Sequence, residues 1–359
     1  MAKKYSLTKP LTGYAMASPG AILLFMFVIV PFVLAIIFSF TNQRLTSKAG
    51  DIQFVGFSNY QRLLGAKIMT VPSLKDDSGQ VVIENGKVQY EKVRTILRND
   101  DALLERDPDM KRAKEVFIIP FSSNQNGQKV FVAKDVVFWK SIINTGLFVL
   151  MVVPLQCGTA LILAMMVNRQ MAGRNFFRTA FFMPVVTSMV VVSIVWNFML
   201  RPDGPINNLI GTTGLDWLNT PSTAMLAIVV LSAWQGAGYQ MLIFLAGLQG
   251  ISSDLYEAAS IDGANGMQKF RNVTLPGLRN TIVFVILSTT MMAFALYVQI
   301  DVLTKGGPAD ATQTLVFHSV RIGSEQGNIG YASTISVIYF IIILCIAFIQ
   351  RYILERKAD

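Results

Sequence analysis

Residues Ser18–Phe40 form an apolar run without one charged side chain. As a helix, such a run crosses the ~30 Å hydrocarbon core of a bilayer, which takes about 20 residues. Further stretches repeat the pattern at Phe138–Val167, Phe177–Leu200, Thr223–Leu248, Thr281–Leu303 and Tyr331–Tyr352. In lipid every backbone amide needs an internal partner, so the segments are expected to be helices. The predicted fold class is an all-α polytopic membrane protein with about six transmembrane helices. Composition agrees: 52% of the 359 residues are hydrophobic and 15% charged, whereas soluble domains carry about a quarter charged. Pro31, Pro154 and Pro184 lie inside spans, where neighbouring helices can satisfy the freed backbone groups.

The basic start MAKKYSLTKP precedes an apolar run. That run exceeds a signal h-region and no A-x-A cleavage site follows it, so it reads as a retained first span. The net charge of +9 is concentrated on one side. With the N-terminus inside, the inner segments hold Lys3, Lys4, Lys9, Arg169, Arg174, Arg178, Lys269, Arg271, Arg279, Arg351, Arg356 and Lys357. The short outer loops hold Arg201, Lys305 and Arg321. Twelve against three predicts both termini in the cytoplasm. It accounts for the basic balance through the lipid bilayer, with no nucleic-acid partner.

The expected organisation is an N-terminal cytoplasmic segment 1–17, a first span 18–40, an outer insertion 41–137, five spans within 138–353 that include a polar loop 254–278, and a tail 354–359. The insertion mixes both charge signs. VVIENGKVQY places Asn85-Gly86 between alternating residues, as a type I′ hairpin turn requires. NQNGQKVFV places Asn126-Gly127 before another strand, and RTILRNDDALLERDPDMKRAKEVF reads as helix interrupted near Pro108. A small α+β insertion is expected, the alternative being a partly disordered loop.

Several chemistries lack material. No GxxxxGK[ST] occurs, so the chain has no P-loop to cradle ATP phosphates, and no GxGxxG sits on a strand-turn-helix unit. The one histidine, His318, falls in an outer loop and reads as a surface residue. Cys157 and Cys345 lie in apolar runs and read as buried free thiols. The pattern offers no catalytic, cofactor-binding or metal site.

One polar segment stands between the fourth and fifth spans: LYEAASIDGANGMQKFRNVTLP, Leu255–Pro276. Asp254 stands where an N-cap would, and Glu257, Ala258 and Ala259 favour helix. Asp262-Gly263 and Asn265-Gly266 break it. Met267–Thr274 can form a second helix ending before Pro276. By itself this describes an interfacial amphipathic hairpin or a knob that docks into a partner's groove.

EAASIDGANGMQKFRNVTLP resembles the EAA signature of bacterial ABC importer permeases: E-A-A, three residues, G, nine residues, I-x-L-P. Glu257, Ala258, Ala259, Gly263, Leu275 and Pro276 match, and Val273 replaces the isoleucine. FVGFSNYQRLL, FFMPVVTSMVV, WLNTPSTAMLAIVVLSAWQGAGYQMLIFLAGLQGI and LTKGGP are similar to the carbohydrate-importer branch. The resemblance implies a type I ABC importer permease fold in the bacterial inner membrane. It implies a second homologous permease subunit, two ATP-binding subunits that hold the ATP and Mg, a periplasmic solute-binding protein and a sugar substrate delivered by it. Glu257, Ala258, Ala259, Asp262, Gly263, Leu275 and Pro276 would then couple the spans to the ATPases, and this chain would not itself be an enzyme.

Polar residues inside spans are costly and are functional candidates by default. The fourth span carries Trp234, Gln235, Tyr239 and Gln240 around Gly236 and Gly238, with Gln235 and Tyr239 on one helical face. The fifth carries Thr289, Thr290, Tyr297, Gln299 and Asp301. The resemblance places Gln235, Gly236, Tyr239, Thr289, Ala293 and Leu296 along the substrate path, and Gln299 joins them as a polar residue inside the fifth span. Ala293 and Leu296 are apolar where the maltose permease has polar contacts, a departure that argues against maltose. Asn144 and Gln156 also fit the role of interhelical glue. The alternatives are a stand-alone secondary transporter or channel, and a receptor or scaffold that moves no solute.

Overall fold

The computed structural model describes residues 8–76, 79–85, 87–100, 105, 107–124, 126–169, 172–212 and 214–356. It divides into two compact bodies, one of residues up to Gly65 with Ser319–Ile338, the other of Ala66–His318 with the residues from Tyr339 onward. The predicted insertion 41–137 is therefore split at Gly65.

In the first body, helix α1 (Thr8–Leu24) runs into a π-helical turn at Phe25–Ile29 and on into α2 (Val30–Ser39). Helix is thus already formed at Thr8, ahead of the apolar run that starts at Ser18. The π turn has a local cause. Pro31 has no N–H, and its ring crowds the carbonyl four residues earlier, so the coil widens just ahead of it. The carbonyl of Ser39 at the end of α2 accepts from Asn59 Nδ2 (2.9 Å) and from Thr334 Oγ1 (3.1 Å). Asn59 precedes Tyr60 on α3 (Ser58–Leu64), and the Tyr60 ring lies 5.4 Å from that of Phe40.

The second body opens with the α+β module. Strands β1 (Ala66–Val71), β4 (Lys114–Ile118) and β5 (Gln128–Ala133) form an antiparallel sheet in the order β1-β5-β4. Between β1 and β4 a two-stranded hairpin pairs β2 (Ile83–Glu84) with β3 (Lys87–Val88). Asn85 at its turn has φ 54°. Helix α4 (Val93–Asn99) and a 3₁₀ turn at Pro108–Arg112 cover one face, burying Val71, Leu97, Met110, Val130 and Val132. The expected interrupted helix therefore ends short of Lys114. Residues KEVFI instead pair with β5, because a ladder partner overrides local helix propensity.

The rest of this body is helical. Helix α5 (Val136–Asn168) starts at Asp135, whose Oδ1 accepts from Phe138 N (2.9 Å). The predicted third span is two helices, α6 (Arg174–Val186) and α7 (Met189–Met199), bent by 97° at Thr187-Ser188. Both hinge residues are extended, and Pro184 has already removed one donor from the last turn of α6. A short α8 (Pro205–Ile210) leads to α9 (Pro221–Gln249), which buries more residues than any other helix among the described residues. Three glycines let its neighbours approach: a Cβ at Gly236 would overlap the Gln156 amide on α5, one at Gly238 the Phe181 carbonyl on α6, and one at Gly247 would lie 2.6 Å from Thr281 Oγ1. This is the small-residue contact expected between membrane helices.

After α9 come α10 (Ser253–Ile261), α11 (Gly266–Lys269), a π turn at Phe270–Thr274 and α12 (Leu275–Gly277). The coil continues through Pro276 instead of ending before it. A π turn again precedes the proline, as it does at Pro31. The chain then bends by 69° into α13 (Arg279–Phe294). The predicted fifth span breaks at Ala295–Tyr297 before α14 (Val298–Leu303); α15 (Leu315–Val320) and α16 (Ile329–Arg356) follow, and their residues within Ser319–Ile338 belong to the first body. Among the described residues, four helices are long and apolar enough to cross a bilayer, or six if each bent pair is one span.

Two expectations about single residues fail. His318 is buried in α15 with Nε2 3.5 Å from Asp135 Oδ2, because the loop after α14 folds back over the start of α5. Cys345, expected to be buried, is exposed on α16, while Cys157 is half-buried.

Candidate functional site

The polar loop is a closed hairpin. Ser252, not Asp254, caps α10, its Oγ accepting from Asp254 N (3.3 Å). Glu257 and Ala258 are exposed and Ala259 half-buried. The helix ends at Asp262, and Gly263 takes φ +73°, the left-handed turn that glycine permits at a helix terminus. Ala264 N then donates to Ala259 O (2.9 Å). Asn265 and Gln268 restart the coil through a reciprocal capping box. Two bonds tie the arms together: Lys269 Nζ to Ser260 Oγ (2.6 Å), and the Tyr256 and Thr274 hydroxyls at 3.0 Å. Leu275 is half-buried and Pro276 exposed. Ile261 and Met267 stand out from the tip, 87% and 72% exposed. The hairpin is thus short and tied across its arms, with Ile261 and Met267 flanking an exposed polar turn that holds Asp262 and Asn265.

Inside the bundle, α5, α7, α9, α13 and the break before α14 surround a cavity of about 130 Å³. Its polar lining is Gln156, Ser232, Gln235, Thr289 and Gln299, and its apolar lining includes Phe148, Val152, Met189, Ala293 and Leu296. Gln235, Gly236, Thr289, Ala293, Leu296 and Gln299, predicted separately from two spans, all border this one space. Tyr239 does not; it is 43% exposed, one turn farther along α9. A four-residue step advances 40° beyond a full turn, which carries it off the lining.

The polar groups are held in place. Gln299 Nε2 donates to Ser232 Oγ (3.4 Å). Gln235 Nε2 donates to the Pro184 carbonyl (3.3 Å), so it also satisfies an orphaned acceptor in the last turn of α6. Gln156 Nε2 donates to Gln240 Oε1 (2.9 Å), and Gln240 Nε2 to Thr289 Oγ1 (3.2 Å). In the sequence Gln156 fits the role of interhelical glue, and Ser232 is not among the expected path residues. Ser232 lies three residues before Gln235 on one face of α9, a signal that was available. Asn144 bonds the Asp310 and Gln313 carbonyls at 2.8 and 3.1 Å and acts as glue. Asp301 pairs with Lys305 (3.6 Å) away from the cavity.

Residues 156–359 match the family model described as binding-protein-dependent transport system inner membrane component. The chain is 34% identical over 241 residues to the lactose transport system permease protein LacF of Rhizobium radiobacter, covering 64% of this chain and 81% of that one. It is 31% identical over 244 residues to the trehalose/maltose transport system permease protein MalF of Thermococcus litoralis, with coverages of 67% and 82%. It is 34% identical over 242 residues to the sn-glycerol-3-phosphate transport system permease protein UgpA of Agrobacterium fabrum, with coverages of 66% and 83%. Its fold matches a chain in the crystal structure of a bacterial ABC transporter involved in import of the acidic polysaccharide alginate, at TM-score 0.67 and 18% identity over 98% of each chain.

Proposed function

The chain belongs to the inner membrane components of binding-protein-dependent transport systems, and from that membership we propose that it forms the cargo path of an importer for a neutral sugar of oligosaccharide or glycoside type. It is a multi-pass permease subunit, and a transporter working alone is not the reading its relatives favour.

The observation that carries the cargo class is the lining. Amide and hydroxyl groups are set among apolar side chains, and no charged residue borders the cavity among the described residues. Sugar hydroxyls can exchange hydrogen bonds with such groups. An anionic phosphate would be desolvated there without a counter-charge, at heavy cost. The reading therefore leans toward relatives named for lactose and trehalose/maltose and away from the one named for glycerol phosphate. A cavity of about 130 Å³ is below the ~300 Å³ at which ligand pockets begin. Cargo then enters only when the helices part.

In this reading the hairpin Ser253–Gly277 docks into a separate ATP-binding subunit, and two such subunits hold ATP and Mg and do the hydrolysis. A second homologous permease completes the path, and a periplasmic solute-binding protein delivers the cargo. The asymmetric Lys and Arg distribution supports an orientation with both termini in the cytoplasm. The test is reconstitution of the assembled complex in proteoliposomes with its binding protein, followed by uptake of labelled lactose, trehalose, maltodextrins and glycerol 3-phosphate. Uptake of a neutral sugar that needs ATP supports the reading. Uptake of glycerol phosphate alone, or ATP hydrolysis by this chain by itself, sinks it.

A further inference from the structure

The cavity ends in one hydrogen-bonded layer, and the same layer divides the core. On α5 the cavity-lining residues are Phe148, Val152 and Gln156, so Gln156 is the last before the Asn168 end. On α13, Thr289 is the lining residue nearest the Arg279 start. On α9 the last is Gly236, and Gln240 follows about 6 Å closer to the Ser253 hairpin. These helix ends all lie toward the hairpin, and Gln156, Gln240 and Thr289 are bonded there at 2.9 and 3.2 Å. One apolar cluster, with Phe148, Val152, Ala293 and Leu296, lies on the cavity side. A second, with Ala160, Met241, Phe244 and Val285, lies on the hairpin side. Gln240 is fully buried and Thr289 is 1% exposed.

We propose that Gln156, Gln240 and Thr289 form the inner gate of the cargo path, the barrier that parts when cargo leaves toward the hairpin side. Two amides and a hydroxyl suit this role. Each donor or acceptor that loses its partner on opening can bond a sugar hydroxyl or water instead, so the open state strands no buried polar group. An all-apolar plug would expose bare hydrocarbon to a hydrated cargo. Gln156 and Thr289 border the cavity as well as the layer, so they would touch cargo before Gln240. The absence of a side chain at Gly236 leaves Gln156 the room. The proposal rests on the cavity being the cargo path.

Cys157 is a built-in reporter, with Sγ 3.7 Å from Thr289 Oγ1. In a Cys345→Ser background, the assembled importer is reconstituted and treated with a cationic methanethiosulfonate from the hairpin side. Gln240→Leu deletes both layer bonds, each contributing about fivefold to closure. The expected result is Cys157 modification at least tenfold faster than in the parent, with efflux of trapped sucrose in the absence of ATP. Thr289→Val removes one of the two bonds and serves if Gln240→Leu does not assemble. Its expected increase is about fivefold. Parent-like modification with tight vesicles in whichever variant assembles overturns the gate. Neither readout needs ATP-driven uptake. Loss of uptake in the parent would instead strike the proposed function and leave the gate measurable.

Discussion

Gly236 on α9 and Gln156 on α5 occupy one space: the ideal Cβ position at 236 falls on the Gln156 side-chain amide. A Cβ at 236 would therefore displace the Gln156 amide from the position in which it donates to Gln240 (2.9 Å). Gly236→Ala should swing Gln156 out of the layer and Gly236→Val should spread the two helices. Overpacking of this kind costs about 1–3 kcal/mol. We expect uptake by Gly236→Ala to fall about tenfold with the complex still assembled. Transport kinetics on the purified complex, with a melting curve as control, check it. Wild-type uptake would show that the close approach has no role in transport.

Gly263 separates conformation from contact. It sits at φ +73° with open space where a Cβ would go. Gly263→Val should cost about 1–2 kcal/mol of backbone strain without a clash, while Gly263→Asn is tolerated, since Asn enters the left-handed region more readily. Uptake is therefore expected to drop in the Val variant and to stay within about twofold in the Asn variant. If both lose uptake equally, the side chain and not the turn is responsible.

Asn207 is a structural hub near the far end of α7. Fully buried, it donates to the Arg201, Pro202 and Leu215 carbonyls and accepts from Thr212 Oγ1 and Trp217 Nε1. Asn207→Ala leaves several of these unpaired, at about 1–3 kcal/mol for each buried group. The complex should melt several degrees lower, with the KM for cargo unchanged in whatever fraction remains folded. A changed KM at normal stability would assign the residue to the path.

Asp135 caps α5 through Phe138 N (2.9 Å) and faces His318 Nε2 at 3.5 Å. Asp135→Asn preserves the cap and removes the charge; Asp135→Ala removes both. The Ala variant is expected to lose about 1 kcal/mol more than the Asn variant. Thermal denaturation of the two side by side measures that difference.

The spans and the hairpin were legible because their signals are local: long apolar runs, an Asp-Gly step and an Asn-Gly step. The convergence of Gln235 and Thr289 on one cavity came through a family resemblance, since no periodicity ties α9 to α13. What escaped depends on partners far away in the chain. Lys114–Ile118 is a strand only because β5 lies beside it, and His318 is buried only because the chain returns to Asp135. The bend at Thr187-Ser188 was hidden because α6 and α7 read as one apolar run of suitable length. Gln156 looked like glue. It is glue, and the cavity wall as well.

The uncharged lining of the cavity has an electrical corollary. A single elementary charge carried across the membrane couples to the potential by about 2.3 kcal/mol per 100 mV. If, as proposed, a neutral solute passes along this space bordered by amides, hydroxyls and hydrocarbon, it carries no such charge through the field. The cycle should run at one speed in polarised and depolarised vesicles. Accumulation would then be set by nucleotide free energy alone, and a valinomycin-imposed potential should leave the final gradient unchanged.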